Sequence, residues 1–399
     1  MAWRCPTRIV MHAGALADAL PGAVASQGRV AALVTDSALA QTPRVEATQR
    51  ALRAGDVAVP LTWDAVEANP RHTTVDKLAL ALAECKADVV VALGGGSVID
   101  AAKAAAVLVR NREVDTCVKL EGRERFKAPP LPLVAVPTTC GTGSEVTWVS
   151  VVTHAEQRRK FSIKGHAMFP RIAVVDADVI HTLPESTMVY TSVDALTHAV
   201  EAMLCCKGVR NEVSDALACQ AVALIMTHLP LLRGCRDPQN RDRAACAALM
   251  RASTLAGMAF GSADVGAVHC LSETVGGLFD VPHGLGNAVF LPRVLRHHAR
   301  REALFASLHR GEKGHVAETL ARLTHTCRDT PYGDVPGGFL AMVQRLCSDF
   351  GIPPVEELRL PTHQYPAIAD LAVANGSNGS NPSGPLTRDD YLAILSDNT

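Results

Sequence analysis

The stretch VVVALGGGSVIDAAKAAA, residues 89–106, constrains the fold of this chain more than any other. Its continuous apolar start predicts a strand buried on both faces, and its alanine-rich end predicts a helix. Between them, Gly94, Gly95, Gly96 and Ser97 allow the backbone to approach a phosphate, and the helix start offers N–H groups to an anion. The pattern is neither GxGxxG nor GxxxxGK(S/T). It therefore predicts a pyrophosphate-binding turn of another type, or a glycine-rich turn that only ends a strand.

Strand-like and helix-like segments alternate through the first half of the chain. Strands are expected at residues 8–12, 29–36, 57–63, 87–96, 131–139 and 171–180. This alternation is typical of a doubly wound parallel sheet, here a Rossmann-like, nucleotide-binding α/β domain. Helical spacing alone follows, so we place an α/β domain at 1–182 and an all-helical, metal-binding domain at 183–399. A low-complexity stretch at 374–385 is expected to be a flexible loop before a short terminal helix.

The composition of the chain argues against several classes of function. A net charge of −1 argues against nucleic acid or an anionic membrane surface as a partner. The N-terminus shows no apolar run of the signal-peptide type, and no segment approaches the roughly 18–20 continuous apolar residues of a membrane span. The twelve cysteines are scattered without a CxxC pair and are expected to be mostly small buried side chains. A cytoplasmic location is therefore expected.

Two further features belong to the nucleotide half. Asp36 ends a predicted strand, where its carboxylate could accept the hydroxyls of an adenosine ribose and repel a 2′-phosphate, or could simply cap the next helix. Together with the glycine turn, Asp36 favours NAD(H) over NADP(H). The loop after strand 131–139 gathers hydroxyl side chains around two glycines, at Thr138, Thr139, Thr142 and Ser144. Ligands bind at the carboxyl ends of parallel strands in this fold class, so this loop is a candidate cofactor contact.

Four potential metal ligands lie in the helical half. Asp194 and His198 are four residues apart on one helix face, where such a pair alone is more simply an ion pair or a hydrogen bond. His269 lies on an otherwise apolar helix, where an unpaired imidazole is costly, and His283 follows in a Pro-His-Gly turn. One carboxylate and three imidazoles suit Fe(II), Zn(II) or another late first-row divalent ion. The sequence therefore predicts a metal site that leaves room for a substrate oxygen.

Five motifs, in this order, resemble the iron-containing (group III) alcohol dehydrogenases, in a layout close to that of lactaldehyde reductases. The motifs are GGGSVIDAAK (94–103), PTTCGTGSEVT (137–147), DALTHAVEA (194–202), GMAF (257–260) and AVHCLSETVGGLFDVPHG (267–284). The resemblance spans nearly the whole chain and implies an NAD(P)-binding domain, a helical metal domain and a catalytic cleft between them. By matching position it implies that the metal ligands are Asp194, His198, His269 and His283. It implies that the cofactor groove is lined by Asp36, Gly94, Gly95, Gly96, Ser97, Asp100, Thr138, Thr139, Thr142, Thr147 and Lys160.

The chain departs from the family pattern at two places. Glu273 stands where many members have a histidine that relays the alcohol proton, so Glu273 is a candidate relay, a further ligand or the partner of a cation. After RRKF, the sequence SIKGHAMFPR brings Lys164, His166 and Arg171 together in the chain. This basic stretch is either a solvated loop or a place where a substrate anion approaches.

The resemblance and the ligand set imply reversible hydride transfer between a nicotinamide and a small alcohol or aldehyde. Phe260 and Trp148 are candidate walls of the substrate pocket, or core side chains. Uncharged aldehydes and anionic ones bearing a carboxylate or phosphonate all fit, and a homodimer or higher homo-oligomer is expected. The alternatives are a glycerol or polyol-phosphate dehydrogenase, a dehydroquinate-synthase-like cyclase, a non-catalytic NAD-binding protein and a structural metal protein.

Overall fold

The computed structural model describes residues 3–206, 210–235, 237–309 and 314–396. The chain divides into two compact units, one formed by Cys5–Leu183 and the other by Pro184–Thr399 with Met1–Arg4. The first unit combines a parallel sheet with helices, and the second is helical. The expected combination of an α/β fold and an all-helical fold is therefore confirmed.

The first unit is built on nine strands and six α-helices among its described residues. The strands are β1 (Arg8–Met11), β2 (Val30–Val34), β3 (Ala58–Trp63), β4 (Val89–Gly94), β5 (Gly122–Arg123), β6 (Leu133–Pro137), β7 (Val149–His154), β8 (Arg159–Lys164) and β9 (Ile172–Val175). The helices are α1 (Ala15–Asp18), α2 (Leu20–Ala25), α3 (Ser37–Ala40), α4 (Pro43–Ala54), α5 (His72–Glu84) and α6 (Gly96–Leu108). Six strands form one parallel sheet in the order β1-β9-β6-β4-β2-β3.

Both faces of this sheet are buried, which explains why its strands are apolar without alternation. Along β2, Ala32 and Val34 point into a core shared with α5 and α6, whereas Ala31 and Leu33 point into a core shared with α1, α2 and α4. The neighbouring strands β4 and β6 are paired up to Gly94 and Pro137. Two segments therefore leave the same edge of the sheet side by side. They are the glycine turn, residues 94–97, and the hydroxyl loop, residues 138–144.

A second, three-stranded sheet was not expected from the sequence. β7 and β8 form an antiparallel hairpin, and β5 pairs with β8 in the order β5-β8-β7. Buried and partly exposed residues largely alternate along the hairpin, and the charged run AEQRRK spans its turn and the start of β8. Because the apolar signal is halved and interrupted by charges, the hairpin lacks the pattern that identifies the central strands.

The second unit is helical, and its described residues form no strand. The helices are α7 (Glu185–Leu204), α8 (Glu212–His228), α9 (Arg243–Phe260), α10 (Ala267–Phe279), α11 (His283–His309), α12 (His315–Thr326), α13 (Gly338–Asp349), α14 (Tyr365–Ala374) and α15 (Arg388–Ser396). Among the described residues, one helical stretch, Glu212–Leu232, is long and apolar enough to cross a membrane by length and composition. It lies against α7 and α9, and core helices of folded domains pass the same test, so it is weak support for a membrane span.

The low-complexity stretch at 374–385 is not the flexible loop that its composition predicts. Asn378 and Asn381 are 4% and 1% exposed. The Asn378 side-chain amide donates to the carbonyls of Val373 and Leu386, and that of Asn381 donates to the Asn378 carbonyl. The short polar side chains satisfy backbone groups inside the unit, so the middle of the segment is buried, which composition alone cannot distinguish from a linker.

Candidate functional site

Three helices bring the four predicted metal ligands together. Asp194 and His198 lie on α7, His269 lies on α10, and His283 is the first residue of α11. Each offers one ligand atom, and all four atoms lie within 4.8 Å of one another. The side chains of Asp194, His198 and His269 are at most 5% exposed, and that of His283 is 26% exposed. Three members of the cluster are thus buried, and the fourth, His283, is partly exposed to solvent.

The spacing of these atoms suits a metal ion. His198 Nε2 and His269 Nε2 are 3.0 Å apart, and Asp194 Oδ1 lies 3.7 Å from His283 Nε2. Ligand atoms about 2.1 Å from a tetrahedral ion stand about 3.4 Å from one another. Buried lone pairs at such distances repel unless a proton or a cation lies between them. The donor set and its spacing therefore fit a divalent metal.

Burial lowers the pKa of both inner imidazoles, but only His269 has a carboxylate that outweighs this effect. Burial, with a smaller contribution from His269, holds the pKa of His198 well below its ordinary value, so His198 is neutral, as a ligand must be. Burial also lowers the pKa of His269, but the hydrogen bond and charge of Glu201 outweigh it and raise that pKa. Asp194 and then Glu273 add smaller contributions in the same direction.

Two buried polar residues at this cluster were missed in the sequence. Glu201 Oε2 lies 2.6 Å from His269 Nδ1. Asn287, on α11, donates from Nδ2 to Asp194 Oδ1 at 2.6 Å, and the same nitrogen lies 3.1 Å from His269 Nε2. A signal for Glu201 was present, because it follows Asp194 by seven residues and so lies on the same face of α7. Asn287, four residues after His283, shares that ligand's helix face in the same way.

Gly284 explains how the start of α11 can lie so close to α7. A Cβ at this position would be 2.7 Å from the Tyr190 carbonyl oxygen. The Pro-His-Gly turn therefore requires glycine for close packing, and that packing brings His283 to Asp194 and His198 on α7.

A second group of potential ligands, His72, His154 and Glu156, has a different hydrogen-bond pattern. The Ala155 N–H donates to His72 Nδ1 at 3.2 Å, which leaves the proton of the neutral ring on Nε2. That proton faces Glu156 Oε2, 3.7 Å away. A metal at His72 Nε2 would have to displace both the proton and the backbone hydrogen bond, so this group fits a metal poorly.

Phe260 and Glu273 both lie near the ligand cluster. The Phe260 ring stacks on His198 with ring centroids 4.3 Å apart. Glu273 is half-buried, one helical turn beyond His269, and its Oε2 accepts a hydrogen bond from Asn375 Nδ2 at 2.7 Å. Glu273 is not among the four residues whose ligand atoms converge.

The glycine turn of the first unit packs directly on the hydroxyl loop. Helix α6 begins at Gly96, and its N-cap, Gly95, provides no side-chain cap. A Cβ on Gly95 would lie 3.2 Å from Thr139 Cγ2, and one on Gly96 would lie 2.5 Å from Thr142 Cγ2. The first N–H groups of a 13-residue helix thus lie beside the threonines of the loop, with Ser97 in the first turn.

A buried polar network fixes the hydroxyl loop to α6. Lys103 Nζ donates to Ser144 Oγ, Thr147 Oγ1 and the Val149 carbonyl at 2.9–3.0 Å. Asp100 accepts hydrogen bonds from Ser144 Oγ and from the Val151 N–H. Burial raises the pKa of Asp100 and lowers that of Lys103 to about 8, each partly opposed by the other's charge. Asp100 and Thr147, expected to line the cofactor groove, are thus engaged within the protein.

The other predicted cofactor contacts are placed as follows. Asp36 is the N-cap of α3, and its Oδ1 accepts from the Ala38 and Leu39 N–H groups, which is the capping role considered for it. Thr138 is buried and donates its N–H to the Gly94 carbonyl. Lys160 lies on β8 opposite Thr153, and its charge acts on Asp100.

Of the basic residues predicted to act together, Lys164 and His166 lie near Arg123 and Trp148, but Arg171 does not share these contacts. Trp148 stacks on His166 at 4.8 Å, and the Arg123 guanidinium lies over the Trp148 ring at 5.0 Å. Lys164 pairs with Arg123 across β8 and β5. Arg171 instead precedes β9 and donates its N–H to the Leu133 carbonyl. Trp148 therefore belongs to a cationic and aromatic surface of the first unit that includes Lys164 and His166.

Comparison with known proteins identifies relatives along the whole chain. A family model described as iron-containing alcohol dehydrogenase matches residues 6–177, and one described as Fe-containing alcohol dehydrogenase family, C-terminal, matches residues 188–399. The chain is 35% identical over 365 residues to the 1,3-propanediol dehydrogenase of Klebsiella pneumoniae, covering 89% of this chain and 88% of that protein. It is 31% identical over 354 residues to the lactaldehyde reductase of Escherichia coli (strain K12), covering 88% and 87%.

Solved structures with the same fold include two whose names state an activity. A crystal structure of 1,3-propanediol oxidoreductase matches with a TM-score of 0.85 at 31% identity, covering 99% of this chain and 98% of that one. The sulfoacetaldehyde reductase from Bifidobacterium kashiwanohense, in complex with NAD+, matches with a TM-score of 0.83 at 25% identity, covering 100% of both chains.

Proposed function

Since the chain belongs to the iron-containing alcohol dehydrogenase family, it is an alcohol or aldehyde oxidoreductase, and we propose that it transfers hydride between NAD(H) and a small primary alcohol or aldehyde at a divalent-metal site. The observation that carries the proposal is the convergence of Asp194, His198, His269 and His283. A non-catalytic nucleotide-binding protein would not need these four convergent side chains. A structural metal protein would not need the glycine turn.

The four side chains would hold Fe(II), Zn(II) or another divalent ion. A metal bound there supplies Lewis acidity toward the oxygen of the alcohol or aldehyde. His283, the most exposed ligand, lies where the cluster is open. Phe260 covers the face of His198 and excludes water from that side, which strengthens electrostatic interactions at the site.

The glycine turn and the hydroxyl loop would hold the dinucleotide, which supplies the hydride. The uncapped start of α6 is suited to the pyrophosphate, and the Lys103 network holds the neighbouring loop in place. Asp36 keeps one carboxylate oxygen engaged as a helix cap, and its negative charge would disfavour a 2′-phosphate. These features support NAD(H) in preference to NADP(H).

A proton must be exchanged with the substrate oxygen, and Glu273 is the candidate relay. Asn375 holds one of its carboxylate oxygens, which orients the group. A fifth anionic or neutral ligand is not needed to complete the cluster, so a relay role is favoured over a ligand role.

Relatives provide some support for the substrate class. The names 1,3-propanediol dehydrogenase and lactaldehyde reductase indicate small hydroxylated substrates for those proteins, and sulfoacetaldehyde reductase indicates an anionic one. The cationic side chains of Arg123 and Lys164 lie beside His166 in the first unit, whereas Asp194 and Glu273 in the second unit are acidic. A small hydroxyaldehyde is therefore the substrate class proposed first, with an anionic aldehyde second.

The test is NADH oxidation by metal-free protein before and after addition of Fe(II) or Zn(II). The substrate panel contains lactaldehyde, 3-hydroxypropionaldehyde, sulfoacetaldehyde and phosphonoacetaldehyde. His269→Ala should lose most bound metal and activity while NADH binding, followed by fluorescence, stays near normal. His72→Ala, which removes an imidazole from the second group, is the matched control and should keep both. Full metal occupancy in His269→Ala, or no aldehyde reduction with either metal, would contradict the proposal.

A further inference from the structure

Glu201 is a buried carboxylate whose two oxygens serve two different partners. It lies on α7, three residues after His198, and is 4% exposed. Its Oε2 lies 2.6 Å from His269 Nδ1, and its Oε1 accepts the Val268 N–H at 2.8 Å. A carboxylate is costly to bury, and here both oxygens have a donor on α10.

The contact with His269 decides which imidazole nitrogen can bind a metal. A carboxylate accepts hydrogen bonds, so His269 Nδ1 must carry the proton of this pair. In the neutral ring, Nε2 then carries the lone pair, and Nε2 is the atom that lies 3.0 Å from His198 Nε2. A carboxylate behind a ligating imidazole also raises its basicity and fixes its ring orientation.

The contact with Val268 stabilises the start of the helix that carries His269. The first N–H groups of α10 have no helical partner, and the side chains of Asn381 and Glu201 supply acceptors for Ala267 and Val268. A Cβ on Gly266 would lie 2.8 Å from Asn381 Oδ1 and 3.2 Å from Glu201 Oε1. Glycine at 266 thus allows both acceptors to reach the helix start, where negative charge is favourable.

We propose that Glu201 is a positioning residue of the metal centre, which holds the Nε2 lone pair of His269 toward the other ligands while it caps α10. The inference rests on the proposed function of the four-residue cluster as a metal site. It goes beyond a capping role, because a cap alone would affect stability without affecting metal affinity.

Glu201→Gln separates the two roles. The glutamine oxygen can still accept the Val268 N–H, but its NH₂ group then faces His269 Nδ1 and stabilises the tautomer with the proton on Nε2. Zn(II) affinity, measured by chelator competition, should fall about 10- to 100-fold. The control is Asp242→Ala, which removes the N-cap of α9 without touching a ligand. It should lower the melting temperature and leave Zn(II) affinity unchanged. Unchanged affinity in folded Glu201→Gln would overturn the inference.

A measurement on the unsubstituted protein covers the case in which Glu201→Gln does not fold. Isotope-edited NMR of the histidine ring nitrogens in the zinc-loaded protein should show His269 bound through Nε2 and protonated at Nδ1. Binding through Nδ1 would overturn the inference. If the unsubstituted protein binds no divalent metal, the proposed function fails instead. In that case, the inference about Glu201 is tested by the same NMR measurement on the neutral His269 ring at alkaline pH. A proton on Nδ1 would support the inference, and a proton on Nε2 would overturn it.

Discussion

At the scale of single residues, Glu273 gives the most direct test of the proposed catalytic mechanism. Its carboxylate lies one helical turn beyond His269 and is held by Asn375 at 2.7 Å. Glu273→Gln keeps the size and hydrogen bonding of the side chain but cannot carry a proton. We expect kcat to fall about 10²-fold or more, because positioned proton transfer contributes about 10²- to 10⁴-fold.

Metal content and the control decide how that loss is interpreted. Metal content of Glu273→Gln should equal that of the unsubstituted protein, and Glu318→Gln, at an exposed position of α12, should be fully active. Loss of metal would indicate that Glu273 is a ligand, and an unchanged kcat would indicate that it takes no part in catalysis.

Asp36 allows charge and capping to be separated. Serine is as good an N-cap as aspartate, so Asp36→Ser should preserve the start of α3 while it removes the charge expected to repel a 2′-phosphate. We expect the ratio of kcat/KM for NADH over NADPH to fall about tenfold or more with little change in melting temperature. An unchanged ratio would remove Asp36 from the cofactor site and leave it as a cap.

The sequence predicted the four side chains that converge but not the groups that contact them. Asp194 and His198 have ligand spacing on one helix, and two isolated histidines in apolar or turn surroundings require partners. Glu201 and Asn287 follow the same face rule, yet their partners lie 67 and 93 residues away along the chain. Such long-range pairing depends on how the helices pack, and this packing cannot be deduced from the spacing of residues along the chain.

At the scale of elements, glycine turns and apolar strands were predictable, and polar elements were not. The strand β4 and the turn into α6 were evident because a doubly buried strand has a continuous apolar pattern. The hairpin of β7 and β8 and the partly buried segment at 374–385 were missed. In the hairpin, buried and partly exposed residues largely alternate, and in the segment the buried Asn378 amide satisfies backbone carbonyls five and eight residues away.

The start of α6 gives a test of the nucleotide turn as an element. A Cβ on Gly96 would lie 2.5 Å from Thr142 Cγ2 and 2.7 Å from Thr142 Oγ1, so Gly96→Ala must displace the Thr142 side chain of the hydroxyl loop. The Kd for NADH should rise about tenfold, which is about 1.4 kcal/mol. Zn(II) affinity should not change, because the four predicted ligands lie in the other unit. Gly376→Ala, where a Cβ meets nothing within 4 Å, is the control. Unaltered NADH binding in Gly96→Ala would contradict the assignment of the turn.

At the scale of the whole molecule, the two fold types could be predicted from the sequence, whereas the oligomeric state is not tested by the structure. The change from strand–helix alternation to helices alone follows from local periodicity, so the two fold types could be predicted. Assembly depends on surface shape, and the expected homodimer or higher homo-oligomer stays a prediction, to be tested by sedimentation of the intact protein.

The pH dependence of stability is also a property of the whole chain, and one buried residue makes a defined contribution to it. His298, on α11, is 3% exposed, and burial, followed by the charges of His297 and Arg301, lowers its pKa to about 3, against an ordinary value of 6.5, with Asp390 opposing. Between these two values the unfolded chain binds a proton that the folded protein does not. The free energy of unfolding therefore falls as the pH falls from 6.5 toward 3.

The expected size of that fall can be measured with a substitution at the same position. At about pH 5 the His298 contribution amounts to about 2 kcal/mol, at about 1.4 kcal/mol per pH unit. His298→Gln removes the titrating group, so its melting temperature should fall less between pH 7 and pH 5 than that of the unsubstituted protein, whatever its stability at pH 7. His363→Gln, at an exposed position, should retain the full acid dependence. All three proteins are compared metal-free, so that proton competition at the metal ligands does not add to the difference. Parallel curves for all three would show that His298 is protonated in the folded state, and that its burial does not lower its pKa as inferred.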